Sequence, residues 1–239
     1  MIVLAIDTCE SRGSIAILKD NATLHAVPHA VSEEYSSWLL PAVDSALELT
    51  EITLGEVDLF AAASGPGSFT GVRIGLTTVK AWSEVFGKPI VAVSRLEAVG
   101  AQSPSTAHYL ASFIDAQRDQ IFGALYHRAE GALALVQEEM VASPEVFAEW
   151  VDERASGDEV AWISTDPDSL AKYPAWRPRA ARGDKIQCVP CALAPVIGKI
   201  AFQRALNGNV LDALSVDANY VRRSYVEVFQ KGPARVPGK

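Results

Sequence analysis

The chain has 239 residues, of which 49% are hydrophobic and 21% charged, and its formal net charge at pH 7 is −8. A chain of this length and apolar content can bury a sizeable core, as one large domain or as two small ones. It holds no apolar run of about 18 residues and no basic-then-apolar leader, and its three cysteines are too few for a disulfide framework, so we expect a soluble cytoplasmic protein without a membrane span.

Strand and helix patterns alternate along the first part of the chain. β-Branched and apolar residues recur in three predicted strands, near 2–8, 14–20 and 23–30. A helix is predicted from about Glu33, with Ser32 as its N-cap. Its apolar stripe comprises Trp38, Leu39, Val43, Ala46 and Leu47. Pro41 should kink this helix or restart it.

Acidic residues concentrate in residues 1–58, which hold ten acids against Arg12 and Lys19. The resulting net charge of −8 equals that of the whole chain, and the remaining residues balance at 19 acids and 19 bases. An acidic surface around the first helix would repel phosphates and would suit a partner that carries a basic patch. The alternative is the ordinary solvation of a helix face.

Residues 65–75 read Gly-Pro-Gly-Ser-Phe-Thr-Gly-Val-Arg-Ile-Gly, between an apolar strand pattern at 58–64 and a helical pattern at 72–86. The segment predicts a strand-to-helix turn, which comprises Gly65, Pro66, Gly67, Ser68, Phe69 and Thr70. The two glycines of the turn can take positive φ, and Ser68 or Thr70 can cap the helix. Such a turn exposes backbone N–H groups that could hold a phosphate, although neither a P-loop nor a G-x-G-x-x-G pattern is present.

Gly71 and Gly75 lie four residues apart inside the predicted helix. Each glycine costs about 1 kcal/mol relative to alanine at such a position. We expect this cost to be offset by the close approach of another backbone, since the two glycines form a flat stripe on one helix face. That backbone belongs either to this chain or to a partner protein.

The rest of the chain divides at residues 103–106, Ser-Pro-Ser-Thr, which we interpret as a linker. A strand at 89–93 and a short helix near 96–101 precede it, and strands near 108–115 and 120–127 follow. Residues 129–185 mix helix and strand signals and cannot be ordered. A helix is predicted at 192–206, and the tail 231–239 is expected to be disordered. The predicted domains are 1–102 and 103–230, with helix 192–206 as a candidate to pack back on the first.

The segment from Gly65 to Gly75 closely resembles the signature of the TsaB (YeaZ) family, a relative of the TsaD family in the actin-like ATPase superfamily. Further segments match in the expected order: 2–8 with 13–17, 38–41, 94–98, 114–118 and 219–222. The resemblance implies an α/β actin-like ATPase (ribonuclease-H-like) fold, in which two subdomains hold mixed sheets flanked by helices.

The resemblance also implies a function. The chain would be a non-catalytic subunit of the machinery that makes N6-threonylcarbamoyladenosine at position 37 of tRNA, and it would bind and activate the TsaD transferase as a heterodimer. TsaE would supply ATPase function, tRNA would be contacted only indirectly, and a homodimer would form when TsaD is absent. The chain is expected to bind no cofactor on its own, whereas ATP or ADP could bind at the interface of the complex.

Two apolar helix faces would then form the partner interface. They comprise Tyr35, Trp38, Leu39 and Val43 on the first helix, and Gly71, Arg73, Gly75, Thr78 and Trp82 on the second. Arg73 lies beside the turn and could pair with an acid such as Glu33 or reach across the interface. The alternative is that both faces pack only inside the monomer.

Asp7 is the candidate for a cofactor contact. In catalytic members of the superfamily, an Asp at the end of the first strand positions phosphate or metal-bound water. Here, however, residues 9–11 supply no glycine-rich loop, and Glu10 adds negative charge where a phosphate would sit. An independent actin-like ATPase or small-molecule kinase is the alternative function. It would need Asp7, a second acid such as Asp115 and an adenosine loop, whereas Gly198 and Gly208 are isolated.

No metal site or catalytic set is expected. TsaD carries two histidines four apart on a helix, whereas His25 and His29 fall in a predicted strand here. Cys188 and Cys191 have redox-motif spacing, but they are one pair without a second pair for zinc. A peptidase is a weaker reading, because no G-x-S-x-G or H-E-x-x-H pattern is present.

Overall fold

A computed structural model describes residues 1–30, 33–129 and 132–221. The first part of the chain forms a five-stranded sheet in the order β3-β2-β1-β4-β5. Its strands are β1 (Ile2–Asp7), β2 (Ser14–Lys19), β3 (Ala22–Pro28), β4 (Leu59–Ala63) and β5 (Ile90–Val93). Strands β1 to β3 form an antiparallel meander, whereas β4 and β5 run parallel to β1. Every residue of β4 is buried, as expected for a strand covered on both faces.

Helices α1 (Tyr35–Thr50), α2 (Phe69–Phe86) and α3 (Arg95–Gly100) belong to this first part, with a short 3₁₀ turn at Leu54–Glu56. The expectation that Pro41 restarts the first helix is wrong, because α1 runs through it without interruption. Pro41 lies on the exposed side of α1. Water can therefore bind the carbonyl that loses its helical N–H partner. The helix begins at Tyr35 with Glu34 as N-cap; Ser32, the expected cap, lies outside the described residues.

A six-stranded sheet forms from the later residues, in the order β11-β10-β6-β7-β8, with β9 paired to β7. Its strands are β6 (Tyr109–Asp115), β7 (Ile121–Ala129), β8 (Ala132–Leu135), β9 (Met140–Ala142), β10 (Val160–Ser164) and β11 (Ile186–Cys188). The helices are α4 (Pro144–Ala155), α5 (Asp168–Ala171), α6 (Arg177–Arg182) and α7 (Ala194–Leu206). This sheet is also mixed, since β10 runs parallel to β6 and β7 runs antiparallel to it. The predicted disordered tail at 231–239 lies outside the described residues.

Helix α7 packs on the first sheet although it follows the second. A Cβ on its Gly198 would lie 2.3 Å from Leu18 Cδ1, and the N–H of Ala194 donates to Ser14 Oγ at 3.0 Å. Leu18 pairs with Val3 across β1 and β2, so it points away from the face that carries Ile6. Helix α2 covers the Ile6 face, where a Cβ on Gly75 would meet Ile6 at 3.6 Å. The first sheet is therefore covered on both faces.

Two mixed sheets flanked by helices confirm the predicted fold class. Within the described ranges, no helix combines the length and the apolar character needed to span a membrane.

Candidate functional site

The signature turn connects β4 to α2. Gly65 has a φ of 108°, a left-handed conformation that glycine adopts without strain, and the bond from Gly65 to Pro66 is cis. Ser68 is the N-cap, and its Oγ accepts a hydrogen bond from the Gly71 N–H at 3.4 Å. Gly67 does not have the expected positive φ. It is needed for space, because a Cβ there would lie 2.3 Å from the Cys9 carbonyl oxygen.

The two glycines inside α2 face the end of β1. A Cβ on Gly71 would lie 2.1 Å from the Thr8 carbonyl oxygen, and one on Gly75 would lie 2.6 Å from Thr8 Oγ1. Thr8 Oγ1 also donates to the Gly71 carbonyl at 2.6 Å. Both glycines are buried, so the close approach is within this chain, to the Thr8 backbone at Gly71 and to the Thr8 side chain at Gly75. Their predicted place in a partner interface is corrected accordingly.

Arg95, the first residue of α3, lies at the centre of a buried ionic network. Its Nε donates to Asp7 Oδ2 at 3.2 Å and its Nη2 donates to Glu10 Oε2 at 2.6 Å. Nη1 reaches the Pro66 carbonyl at 3.4 Å, and the backbone N–H of Arg95 donates to the Gly65 carbonyl at 2.7 Å. The Arg95 side chain is 1% exposed and that of Asp7 is 0% exposed. The guanidinium therefore joins the end of β1 to the signature turn.

The charges of this network perturb its neighbours. Burial alone would raise the pKa of Glu10, but the attraction and hydrogen bonds of Arg95 and Arg12 together lower it. Burial raises the pKa of the Cys9 thiol well above its usual value, and Asp7 raises it further. Cys9 is therefore a neutral packed side chain, and its Sγ lies 3.6 Å from the Ala63 carbonyl oxygen.

Asp7 does not fit the predicted cofactor contact. One of its carboxylate oxygens accepts from Arg95, and the other accepts from the Cys9 N–H at 2.9 Å. A divalent cation at Asp7 would have to displace a guanidinium that Glu10 also holds. The Arg95 guanidinium thus supplies the positive charge that a metal ion would supply at this carboxylate. Sequence reasoning missed Arg95, although a strand end followed by Ser94 and a charged residue in an apolar helix was a detectable signal.

A cleft of about 1030 Å³ lies between the signature turn and the β6–β7 hairpin. Among its lining residues are Cys9, Pro66, Phe69, Arg73, Asp115 and Tyr220. Asp115, the second acid of the ATPase alternative, does line this cleft. Its two oxygens accept from the backbone N–H and the side-chain amide of Gln117, at 2.9 and 2.8 Å.

A second groove, of about 550 Å³, separates α1 from α2, and we call it the α1–α2 groove. It is lined by Tyr35, Ser36, Leu39, Leu40, Phe69, Thr70, Arg73, Ile74, Thr77 and Thr78. Leu40 is 57% exposed and Phe69 is 45% exposed, so the groove presents apolar surface to solvent. Four predicted interface residues line the groove: Tyr35, Leu39, Arg73 and Thr78. Leu40 and Ile74 were missed, because the predicted apolar stripes followed the core-facing sides of the helices.

The other predicted interface residues lie elsewhere. Val43 and Trp82 line an adjoining hollow of about 770 Å³ that Leu40 shares. Trp38 is buried and packs edge-on against His29 and Tyr35, with ring centroids 4.8 and 5.8 Å apart.

Arg73 pairs with Tyr220 and not with Glu33, the first of its two candidate roles. Its guanidinium lies over the Phe69 ring at 3.8 Å, and its Nε donates to the Tyr220 hydroxyl at 3.1 Å. Tyr220 in turn packs on Phe69, with ring centroids 5.2 Å apart. The described chain therefore ends in the cleft, in contact with two residues that also line the α1–α2 groove.

Tyr35 and His29 hold the loop that follows β1. The Tyr35 hydroxyl donates to the Glu10 carbonyl and accepts from the Gly13 N–H at 2.8 Å. His29 stacks on Tyr35 at 4.1 Å, and its Nδ1 lies 2.7 Å from the Ser11 carbonyl oxygen. His25 lies on β3, paired with Ile17. In the described part of the chain, no three His, Cys, Asp or Glu side chains are grouped to hold a metal ion.

Comparison with known proteins identifies the family. The model of the family described as "TsaD: tRNA N6-adenosine threonylcarbamoyltransferase" matches residues 17–163. The chain is 32% identical over 153 residues to the "tRNA threonylcarbamoyladenosine biosynthesis protein TsaB" of Bacillus subtilis, covering 64% of this chain and 65% of that protein. It is also 32% identical over 167 residues to the protein of the same name from Escherichia coli, covering 69% and 70%. The chain belongs to the TsaB family.

The TsaB fold extends over nearly the whole chain. The solved structure "YeaZ from Pseudomonas aeruginosa" superposes with a TM-score of 0.69 and 23% identity, covering 92% of this chain and 99% of that one. This match confirms the predicted fold beyond the part that the sequence relatives cover. The family-model match includes α1, the signature turn and Arg95, but it begins after Asp7.

Proposed function

We propose that this TsaB-family chain is a non-catalytic subunit in the biosynthesis of tRNA N6-threonylcarbamoyladenosine at position 37, where it binds and activates the TsaD transferase. The names of its relatives support the pathway. The observation that carries the subunit role is the α1–α2 groove, which leaves large apolar side chains in solvent beside a cleft whose Arg95 is already paired with the buried Asp7.

The groove has the composition of a docking site for a helix. Leu40 on α1 and Phe69 on α2 present apolar surface from opposite sides of the groove. The half-buried Ile74 of α2 also lines it. An amphipathic helix of TsaD would bury these side chains, and truncating such an anchor typically costs about 2 kcal/mol or more. Arg73 borders the same groove and offers a charged contact at its rim.

The remaining parts of the proposal follow from the same surface. Without TsaD, two copies would pair through the α1–α2 groove as an isologous homodimer. TsaE would join through the complex, tRNA would be contacted indirectly, and ATP or ADP would bind at the interface with TsaD rather than at Asp7. The complex would work in the cytoplasm, and the chain would divide into domains near residues 102 and 103.

The test is calorimetric titration of the purified chain with its cognate TsaD. Leu40→Asp places a charge in the groove at an exposed position and should weaken binding about 30-fold or more, since about 1.4 kcal/mol corresponds to a factor of ten. Val146→Asp is the matched control, because Val146 is 51% exposed on α4 and an acid suits the first turn of a helix. The control should bind within about twofold of the native chain.

The alternative function, an independent ATPase, predicts ATP turnover without TsaD. ATP turnover by the purified chain alone, abolished by Asp7→Asn, would refute the subunit proposal. If the native chain and Leu40→Asp bind TsaD with equal affinity, TsaD is still the partner, but the α1–α2 groove is not part of the interface.

A further inference from the structure

The described chain ends in the cleft beside the signature turn, next to Phe69 and Arg73, which this cleft shares with the α1–α2 groove. The N–H of Asn219 donates to the Ser64 carbonyl at 2.7 Å, and its side-chain amide donates to Glu139 Oε2 at 2.7 Å. The next residue, Tyr220, packs on Phe69 and accepts from Arg73, and both of these residues line the groove. Residues beyond Val221 therefore start from an anchored point at the groove.

The sequence of residues 222–239 complements this surface. It holds five basic residues and one acid, a net charge of +4, in a chain whose overall net charge is −8. Helix α1 contributes Asp44 and Glu48 and no basic residue, and both of these acids are exposed. The segment also carries apolar residues near its start: Tyr225, Val226, Val228 and Phe229. Its apolar residues suit the groove, whose lining carries one charged residue, Arg73. Its bases suit Asp44 and Glu48, which line the adjoining hollow.

We propose that residues 222–239 occupy the α1–α2 groove of their own chain in the monomer and leave it when TsaD or a second copy binds. This proposal rests on the proposed function in one respect, which is that TsaD is the competitor for the groove. Reach is sufficient: Phe229 can lie up to about 30 Å from Tyr220 in an extended chain. The face of α2 from Phe69 to Thr78 is only about 14 Å long.

Self-occupancy keeps the exposed leucine and phenylalanine from pairing with wrong partners, and it lowers the apparent affinity for the right one. A groove that is covered about 90% of the time binds its partner about tenfold more weakly than an open groove. The short connection from Tyr220 favours the segment of the same chain over one from a second copy at low protein concentration.

Photo-crosslinking in the full chain tests the contact without TsaD. p-Benzoylphenylalanine replaces Phe229, and the crosslinked peptides are mapped by mass spectrometry in a mixture of isotope-labelled and unlabelled chains. We expect crosslinks within one chain to residues 35–50 and 69–86, lost in Leu40→Asp and retained in Val146→Asp. Crosslinks mainly between chains, to the second sheet, or unchanged in Leu40→Asp would overturn the proposal.

Partner affinity tests the competition. In a neutralised variant, glutamine replaces the five bases of the segment: Arg222, Arg223, Lys231, Arg235 and Lys239. This variant should bind TsaD about three- to tenfold more tightly than the native chain. Equal or weaker binding would overturn the competition. If no form binds TsaD, the proposed function fails, while the crosslinking result still decides whether the segment occupies the groove.

Discussion

Replacing Arg95 by methionine should be the most destabilising single change at the candidate site. The methionine keeps most of the apolar volume but leaves the buried carboxylate of Asp7 with the Cys9 N–H as its remaining hydrogen-bond donor. Breaking a buried ion pair by removing one partner costs about 3–5 kcal/mol. Since small domains are stable by about 5–15 kcal/mol, Arg95→Met should lose a large share of the total.

Urea denaturation at pH 7, followed by circular dichroism, measures this loss as a change in the free energy of unfolding. Arg182→Met is the control, because the Arg182 side chain is 59% exposed and its pairs with Asp152 and Asp184 should contribute at most about 1 kcal/mol. Adding Asp7→Asn to Arg95→Met removes the orphaned charge and should recover at least about 1 kcal/mol. A loss below about 1 kcal/mol in Arg95→Met, or no recovery in the double variant, would refute the reasoning.

Three further changes follow from the same structure. Gly71→Ala should destabilise the protein by more than about 2 kcal/mol in thermal unfolding, because its Cβ would meet the Thr8 carbonyl oxygen at 2.1 Å; a milder loss would mean that α2 can shift away from β1. Ser68→Ala should cost about 1 kcal/mol in the same assay through the lost N-cap, with Ser68→Gly costing less; equal costs would argue against capping. Burial raises the pKa of Glu139 above its ordinary 4.5, so the stability that its protonated form contributes is present below pH 4.5 and is lost as the pH rises through the folded-state pKa. In urea denaturation, the free energy of unfolding of Glu139→Gln minus that of the native chain should therefore increase from pH 4.5 to pH 7. A difference that stays constant over this range would contradict the raised pKa.

The local structure of the first hundred residues was predictable because short-range patterns specify it. Period-two and period-3.6 patterns located β1 to β5 and the first three helices within a few residues. Residues 129–185 could not be ordered, because their elements are short and their prolines occur at helix starts as well as in loops. Pro144, for example, begins α4, a position where its missing N–H costs nothing.

The candidate site was only partly predictable. Spacing along a helix shows which side chains share a face, but it does not show which face meets the sheet. Gly71 and Gly75 share their predicted face, and that face turned out to pack on Thr8. Leu40 does not belong to the predicted stripe of α1, and its exposure across from Phe69 depends on how far apart the two helices lie.

By itself, the sequence determined the family, the order of strands and helices in the first part, and the turn at residues 65–70, since each depends on residues that are neighbours along the chain. The tertiary structure alone decided that Arg95 pairs with Asp7, 88 residues away. It did so because β4 lies between β1 and β5 in a parallel arrangement, which brings the ends of those strands to one edge of the sheet. The pairing of Arg95 with Asp7 depends on the strand order, and no local sequence pattern predicts it.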